Sequence, residues 1–169
     1  MDTIATHLAD LRDDLAVPRS VPGLVTRRVL TMGFIDGDSI TRVKSRVARM
    51  PAAARRAAAR RVLGRVARGY GAMMLREGLF QADSHPGNIL VRPRGRVALL
   101  DYGQSKQLPE EDRLAFARLI LTMDRGYAKA DAADVARAMH DLGLRFSKDD
   151  ATILKKMAYG MFDTRTSYK

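Results

Sequence analysis

The feature that most constrains this chain is the stretch from Gln81 to Gly103, QADSHPGNILVRPRGRVALLDYG, where its polar chemistry is densest. Asp83 is followed five positions on by Asn88, and thirteen positions after that by Asp101. Between them lie two aliphatic runs, Ile89-Leu90-Val91 and Val97-Ala98-Leu99-Leu100, separated by the turn-forming Pro93-Arg94-Gly95. Such runs predict two strands joined as a hairpin. An antiparallel pair returns the chain to its starting end, so Asn88 entering the first strand and Asp101 leaving the second converge. One amide oxygen and one carboxylate are hard ligands of the kind Mg2+ accepts, with phosphate and water oxygens completing the shell. Asp83, in the loop just before, is placed to orient or deprotonate a hydroxyl in the same site. Singly, Asp83 could cap a turn and Asp101-Tyr102-Gly103 could close a hairpin with glycine at positive φ; their joint spacing points to a site. His85 is read as a loop histidine bonded to backbone, since one histidine does not make a metal centre.

This spacing is the one protein kinases use, a catalytic-loop Asp, an Asn five residues on, and a D-F-G Asp on metal, the last reading Asp101-Tyr102-Gly103 here. The wording GLFQADSHPGN, completed by LLDYG, resembles the G-x-F-H-A-D-P-H-P-G-N signature of the UbiB/AarF-type (ABC-one, ADCK-like) atypical kinase family. Gln81 stands where that family usually has His, and Ser84 where it usually has Pro. The resemblance covers about Val17 to Lys169 and implies an α+β, mostly helical fold. That fold would be a protein-kinase-like large lobe with a hinge strand and a catalytic-loop β-hairpin, the small lobe being largely missing. By position, Asp83 would be the catalytic acid, Asn88 and Asp101 the metal ligands, and Gly103 the hinge of the following loop. Backbone groups of Gly33, Phe34 and Ile35 would meet an adenine edge. The resemblance also implies ATP and Mg2+ as cofactors and kinase or ATPase activity linked to quinone and other isoprenoid lipid metabolism. It implies a membrane surface or lipid as a partner beside the nucleotide, and a mitochondrial, chloroplast or bacterial membrane-face location.

A kinase-type nucleotide site needs a phosphate loop, a strand lysine and its glutamate partner before the hinge. The family's K-x-G-Q segment and alanine-rich loop have no counterpart before Ala16, and the first lysine is Lys44. Residues 1–38 are therefore expected to be a remnant of small lobe and hinge, and 39–169 a large lobe truncated at its end. Catalysis by the chain alone is not expected.

Composition bounds the alternatives. With 169 residues and 46% hydrophobic content, the chain can bury a sizeable core. The absence of cysteine excludes disulfides and thiolate-bound zinc. No apolar run approaches the roughly 18 residues of a membrane span, and Asp2, Asp10, Asp13 and Asp14 make the first segment unlike a signal or transit peptide, so secretion is not expected. The net charge of +11 is local: Ser39 to Arg76 holds eleven Lys or Arg and no acid, and the nineteen basic residues elsewhere match the nineteen acidic ones. This leaves a competing class, a non-enzymatic basic helical module or pseudokinase-like fragment whose Arg42 to Arg68 binds an anionic partner. Rings for base stacking are nearly absent there, Tyr70 being the nearest, which argues against nucleic acid, and arginine-rich helices are commonly solvated faces.

Along the chain, Ile4, Leu8, Leu11 and Leu15 predict a helix over the first fifteen residues. Leu24 to Thr26 and Arg28 to Met32 read as two short strands or one bent one. Ile40, Val43, Val47 and Met50 predict a helix closed by Pro51, and a second, Ala52 to Gly78, buries Val62, Val66, Tyr70, Met73 and Met74 with Arg60, Arg61, Arg65 and Arg68 in solvent. Gly64, Gly69 and Gly71 each weaken that helix by about 1 kcal/mol, so close packing against another backbone is expected at them. Acids after Pro109, Asp131 and the Ser147, Asp149, Asp150 group open three more helices, and the tail MFDTRTSYK reads as an interrupted element.

Overall fold

The computed structural model describes residues 1–147 and 149–163, a mixed α+β architecture in two compact units, 1–107 and 108–169. The final stretch of the tail, 164–169, lies outside the described residues.

The first unit begins with α1 (Asp2–His7) and then β1 (Leu15–Ala16), β2 (Ser20–Val25), β3 (Leu30–Met32) and β4 (Asp38–Ser39). α2 (Ile40–Val47) and α3 (Ala52–Gly71) follow, then β5 (Leu79–Gln81), β6 (Ile89–Val91), β7 (Val97–Leu99) and β8 (Ser105–Gln107). β6 and β7 pair antiparallel, with Ile89 opposite Leu99 and Val91 opposite Val97. They form the centre of a four-stranded sheet of order β1-β7-β6-β4. The turn between them places Arg94 and Gly95 at φ 62° and 71°, the left-handed region that glycine enters without a Cβ penalty. β2 pairs with β3, and β5 with β8, as separate two-stranded ribbons.

The core of this unit gathers Ile4, Leu8, Leu15, Met73, Ile89, Val97 and Leu99, with Val62, Val66 and Tyr70 of α3 packed against it. Each such aliphatic side chain removed from water contributes about 1.5–3 kcal/mol, so the sheet is held to α3 mainly by these contacts.

Several expectations are corrected here. The helix expected over the first fifteen residues stops at His7, with a 3-10 turn over Ala9–Leu11. Leu15 is instead a strand residue, parallel to Val97, and its side chain fills the notch left by Gly69, where a Cβ would lie 2.7 Å from Leu15 Cδ2. Gly69 thus admits a side chain and not a backbone, and Gly64 and Gly71 face nothing within 4 Å. Not all four arginines are free in solvent: Arg65 Nε and Arg68 Nη2 each donate to Asp14 at 2.6 Å, and the Arg65 side chain is only 17% exposed. The pairing of Leu15 with β7 and its seat at Gly69 take this segment out of a continued helix.

The second unit packs α4 (Glu110–Asp124), α5 (Ala132–Asp141) and α6 (Ala151–Phe162) around Leu119, Met123, Val135, Met139, Leu154 and Tyr159. Asp131 and Asp150 cap α5 and α6 by accepting from the backbone N–H groups of Ala133, Asp134, Thr152 and Ile153, the role their sequence position assigns them. The Tyr159 hydroxyl donates to the Met123 carbonyl at 2.8 Å, satisfying the one polar atom carried into this core by that ring.

Candidate active site

α3 ends in a π-turn, Ala72–Glu77, and Gly78 at φ 70° swings the chain into β5. β5 pairs with β8 so that Gln81 lies opposite Ser105, and Ala82 N–H donates to the Gln104 carbonyl at 2.7 Å. The whole segment from Asp83 to Gly103 is thereby pinched shut at its base. Inside it, the Leu100 N–H donates to the Asn88 carbonyl at 3.0 Å, extending the β6–β7 ladder by one rung. Asn88 therefore faces Leu100 across the ribbon, and Asp101 is the next residue at that same end.

Asp83 is held on both oxygens. Its Oδ1 accepts the His85 N–H at 3.1 Å and its Oδ2 accepts Asn88 Nδ2 at 3.2 Å. Because Asn88 spends its amide nitrogen on Asp83, its amide oxygen is left to face elsewhere as an acceptor. His85 does what was expected of a loop histidine: its Nδ1 accepts the Gly87 N–H at 3.0 Å and caps the short turn Pro86–Asn88. Asp101 is exposed, and its Oδ1 accepts the Gly103 N–H at 2.8 Å, leaving Oδ2 without a protein partner among the described residues.

The backbone of Asp101 is fixed by a residue that sequence reasoning noted only as a departure. Gln81 is 1% exposed; its Nε2 donates to the Asp101 carbonyl, and its Oε1 accepts the Tyr70 hydroxyl at 2.5 Å. The signal was a polar residue at the end of the otherwise apolar Leu79-Phe80. Burial raises the Tyr70 pKa, and the nearby Asp83 charge raises it further, so the phenol stays a donor. Tyr102 is also raised, chiefly by burial, and its hydroxyl has no partner among the described residues.

A cleft of about 550 Å³ joins Leu30 and Met32 of β3 to Asp101, Tyr102 and Gly103. It ends at Met32: the Gly33 N–H donates to the Arg19 carbonyl at 2.9 Å, and the Phe34 ring is 92% exposed. Gly33, Phe34 and Ile35 form an irregular link between β3 and β4. The structure therefore joins Asp83 to Asn88 directly and opens Asp101 onto the cleft, with the Gly33 to Ile35 link beyond the cleft's lining.

Among the described residues no three His, Cys, Asp or Glu side chains cluster as a metal centre. A donor set of one carboxylate and one amide oxygen fits Mg2+, which keeps water and phosphate ligands, and does not fit a structural zinc.

The ABC1 atypical kinase-like domain matches residues 1–139. The chain belongs to this family. The resemblance carried by GLFQADSHPGN and LLDYG is thereby borne out. Among ABC1 relatives, the protein ACTIVITY OF BC1 COMPLEX KINASE 3, chloroplastic, of Arabidopsis thaliana is 32% identical over 118 residues, 68% of this chain and 15% of its own length. The AarF domain-containing protein kinase 1 of Gallus gallus is 32% identical over 134 residues, 76% of this chain and 24% of its own. A further Arabidopsis thaliana relative, ACTIVITY OF BC1 COMPLEX KINASE 8, chloroplastic, is 28% identical over 160 residues, 93% of this chain. The chain thus spans between 15% and 24% of the length of these ABC1 relatives. Among the described residues no helix is long and apolar enough to cross a membrane.

Proposed function

We propose that this chain carries the large lobe and hinge strand of an ABC1-type kinase-like unit that binds Mg-ATP, with residues 1–38 as small-lobe remnant and hinge and 39–169 as large lobe. One observation supports it above the others: Asp83 and Asn88 are bonded to each other at the end of the β6–β7 ribbon where Asp101 leaves it. Asn88 Oδ1 and Asp101 Oδ2 are the oxygens that would hold Mg2+, and the ion, when bound, neutralises charge on the phosphates. Asp83 is the group that orients an acceptor hydroxyl and takes its proton, its carboxylate fixed in place by the His85 N–H and Asn88. Gln81 holds Asp101 at the cleft edge through its backbone, and Tyr70 holds Gln81. The β3 side of the cleft, Leu30 and Met32, supplies apolar surface for a base. By the same family reasoning the intact protein acts as a kinase or ATPase in quinone or other isoprenoid lipid metabolism. Its place would be at a membrane surface, in a chloroplast, a mitochondrion or on the inner face of a bacterial membrane.

Binding by this chain alone is expected to be weak and phosphoryl transfer undetectable, because positioning carries most of that reaction and no lysine precedes Lys44. Amide NMR during Mg-ATP titration tests the reading. Magnesium-dependent shifts at Met32, Asn88 and Asp101, lost in Asp101→Asn, support it; shifts confined to other surfaces, or unaltered by Asp101→Asn, refute it.

A further inference from the structure

Larger than the cleft at Asp101 is a trough of about 840 Å³ between α2 and α3. Its floor is apolar, with Val43 and Val47 from α2, Val62 and Leu63 from α3, and Val91 from β6. α2 buries none of its residues completely, so its apolar stripe is left facing this open space. Leu63 is 59% exposed. Around the rim stand Lys44 of α2, Arg55 and Arg61 of α3, and Arg94 of the β6–β7 turn, cations contributed by three separate elements.

Five other basic residues of this region are already neutralised. Arg42 and Arg46 pair with Asp38, Arg65 and Arg68 with Asp14, and Arg76 with Asp10 and Glu77. Among the described residues, Lys44, Arg55, Arg61 and Arg94 have no carboxylate partner. An apolar trough edged by unpaired cations is complementary to a chain that alternates carboxylates with aliphatic side chains. The wall formed by the first half of α3 consists of Ala and Arg alone from Ala52 to Arg61, so a peptide backbone can approach it closely. No aromatic ring lines the trough on which a base could stack, which disfavours nucleic acid. The encirclement of the floor by charges on three elements suits a segment lying in a groove better than a flat lipid surface.

We infer that the α2–α3 trough is a docking groove for an acidic, aliphatic peptide segment of a partner protein. Pro86 lines the end of the trough and belongs to the same short turn as Asn88, so an occupant would lie beside the loop that carries Asp83. The inference stands on the trough itself and holds whether or not the chain binds nucleotide.

The test uses the full chain, a fluorescein-labelled peptide repeating Glu-Glu-Leu-Leu, its Lys-Lys-Leu-Leu counterpart, and vesicles of phosphatidylserine in phosphatidylcholine. The acidic peptide should bind in low salt, shift the amides of Val43, Val47 and Leu63, and lose at least about tenfold in affinity in Arg55→Glu/Arg61→Glu. That variant, whose substituted side chains are solvent-exposed, should keep its far-UV circular dichroism and bind the lysine peptide better than the parent chain does. Failure of the acidic peptide to bind, binding undiminished in the variant, or shifts elsewhere would overturn the inference. So would vesicle binding that is lost in the variant while the peptide does not compete for it, an outcome that assigns the groove to a membrane.

Discussion

Replacing Gln81 by leucine removes the side chain that ties Tyr70 of α3 to the backbone of Asp101. The substitution keeps side-chain size close to native and adds no cavity, so its cost is almost wholly polar. Two hydrogen bonds are lost, each worth about 0.5–1.5 kcal/mol net. The Tyr70 hydroxyl and the Asp101 carbonyl are then left without their partner in a place where Gln81 itself is 1% exposed, and a stranded buried group costs about 1–3 kcal/mol. Tyr70 is half-buried and can recover part of that from water, so the expected total is about 2–4 kcal/mol. For a chain of this length, that corresponds to a melting midpoint lowered by about 5–15 °C. Urea titration followed by circular dichroism, with Tyr70→Phe and the double variant completing a cycle, gives the measurement. Tyr70→Phe removes one bond and should cost about 1 kcal/mol. The double variant should cost less than the sum of the singles, because the stranded phenol is gone. A loss below about 0.5 kcal/mol for Gln81→Leu, or strict additivity in the cycle, would refute the claim that this amide holds Asp101 in place. Gln81→His, which restores the residue usual in the family, should fall between the parent and Gln81→Leu if an imidazole can reach one of the two partners.

The Tyr102 hydroxyl has no partner among the described residues, so Tyr102→Phe should be neutral or stabilise by about 1 kcal/mol, and a clear loss of stability would reveal a bond to it. Arg60→Gln with Arg61→Gln should change stability by no more than about 0.5 kcal/mol, whereas Arg65→Gln should cost about 1–2 kcal/mol by removing the more buried of the two arginines that hold Asp14; equal effects in urea titration would contradict the pairing. Asp2, Asp10 and Asp38 are held below the usual carboxylate range, by the Ser20 hydroxyl, by Arg76 and by Arg46 respectively. Their folded pKa values lie below the unfolded ones, so their stabilisation is complete above about pH 4 and is lost as pH falls through the folded values. The urea midpoint should accordingly hold between about pH 7 and 5 and fall below about pH 4; a midpoint that rises on acidification would refute this.

What could be read from the chain alone was whatever depends on neighbours in sequence. The β6–β7 pair follows from two aliphatic runs around Pro93-Arg94-Gly95, and the caps of α5 and α6 follow from Asp131 and Asp150, because strand runs, turns and caps are local chemistry. That Asp83 lies close to Asn88 was legible for the same reason, five residues being short enough for one turn to close, but the bond between the two side chains was not. What escaped were the pairings whose partners lie far apart. β5 has only three residues and its partner β8 is Ser-Lys-Gln, exposed throughout and without any hydrophobic alternation to betray a strand. Leu15 satisfies the helical spacing of Ile4, Leu8 and Leu11 perfectly well, yet it is taken by Val97 and by the notch at Gly69, eighty-two and fifty-four residues away. Gln81 shows the same asymmetry at the site. Its identity was visible as a departure from a family pattern, but its role exists only because α3, seventeen residues long before it reaches Gly69, returns Tyr70 to within reach of Gln81. The residues proposed to hold the metal are thus written locally, and the scaffold that aims them is written in tertiary contacts. A substitution in that scaffold should therefore disturb Asp101 while leaving the Asp83 to Asn88 contact intact, which amide shifts of His85 and Gly103 in Gln81→Leu can separate: Gly103 should move and His85 should not.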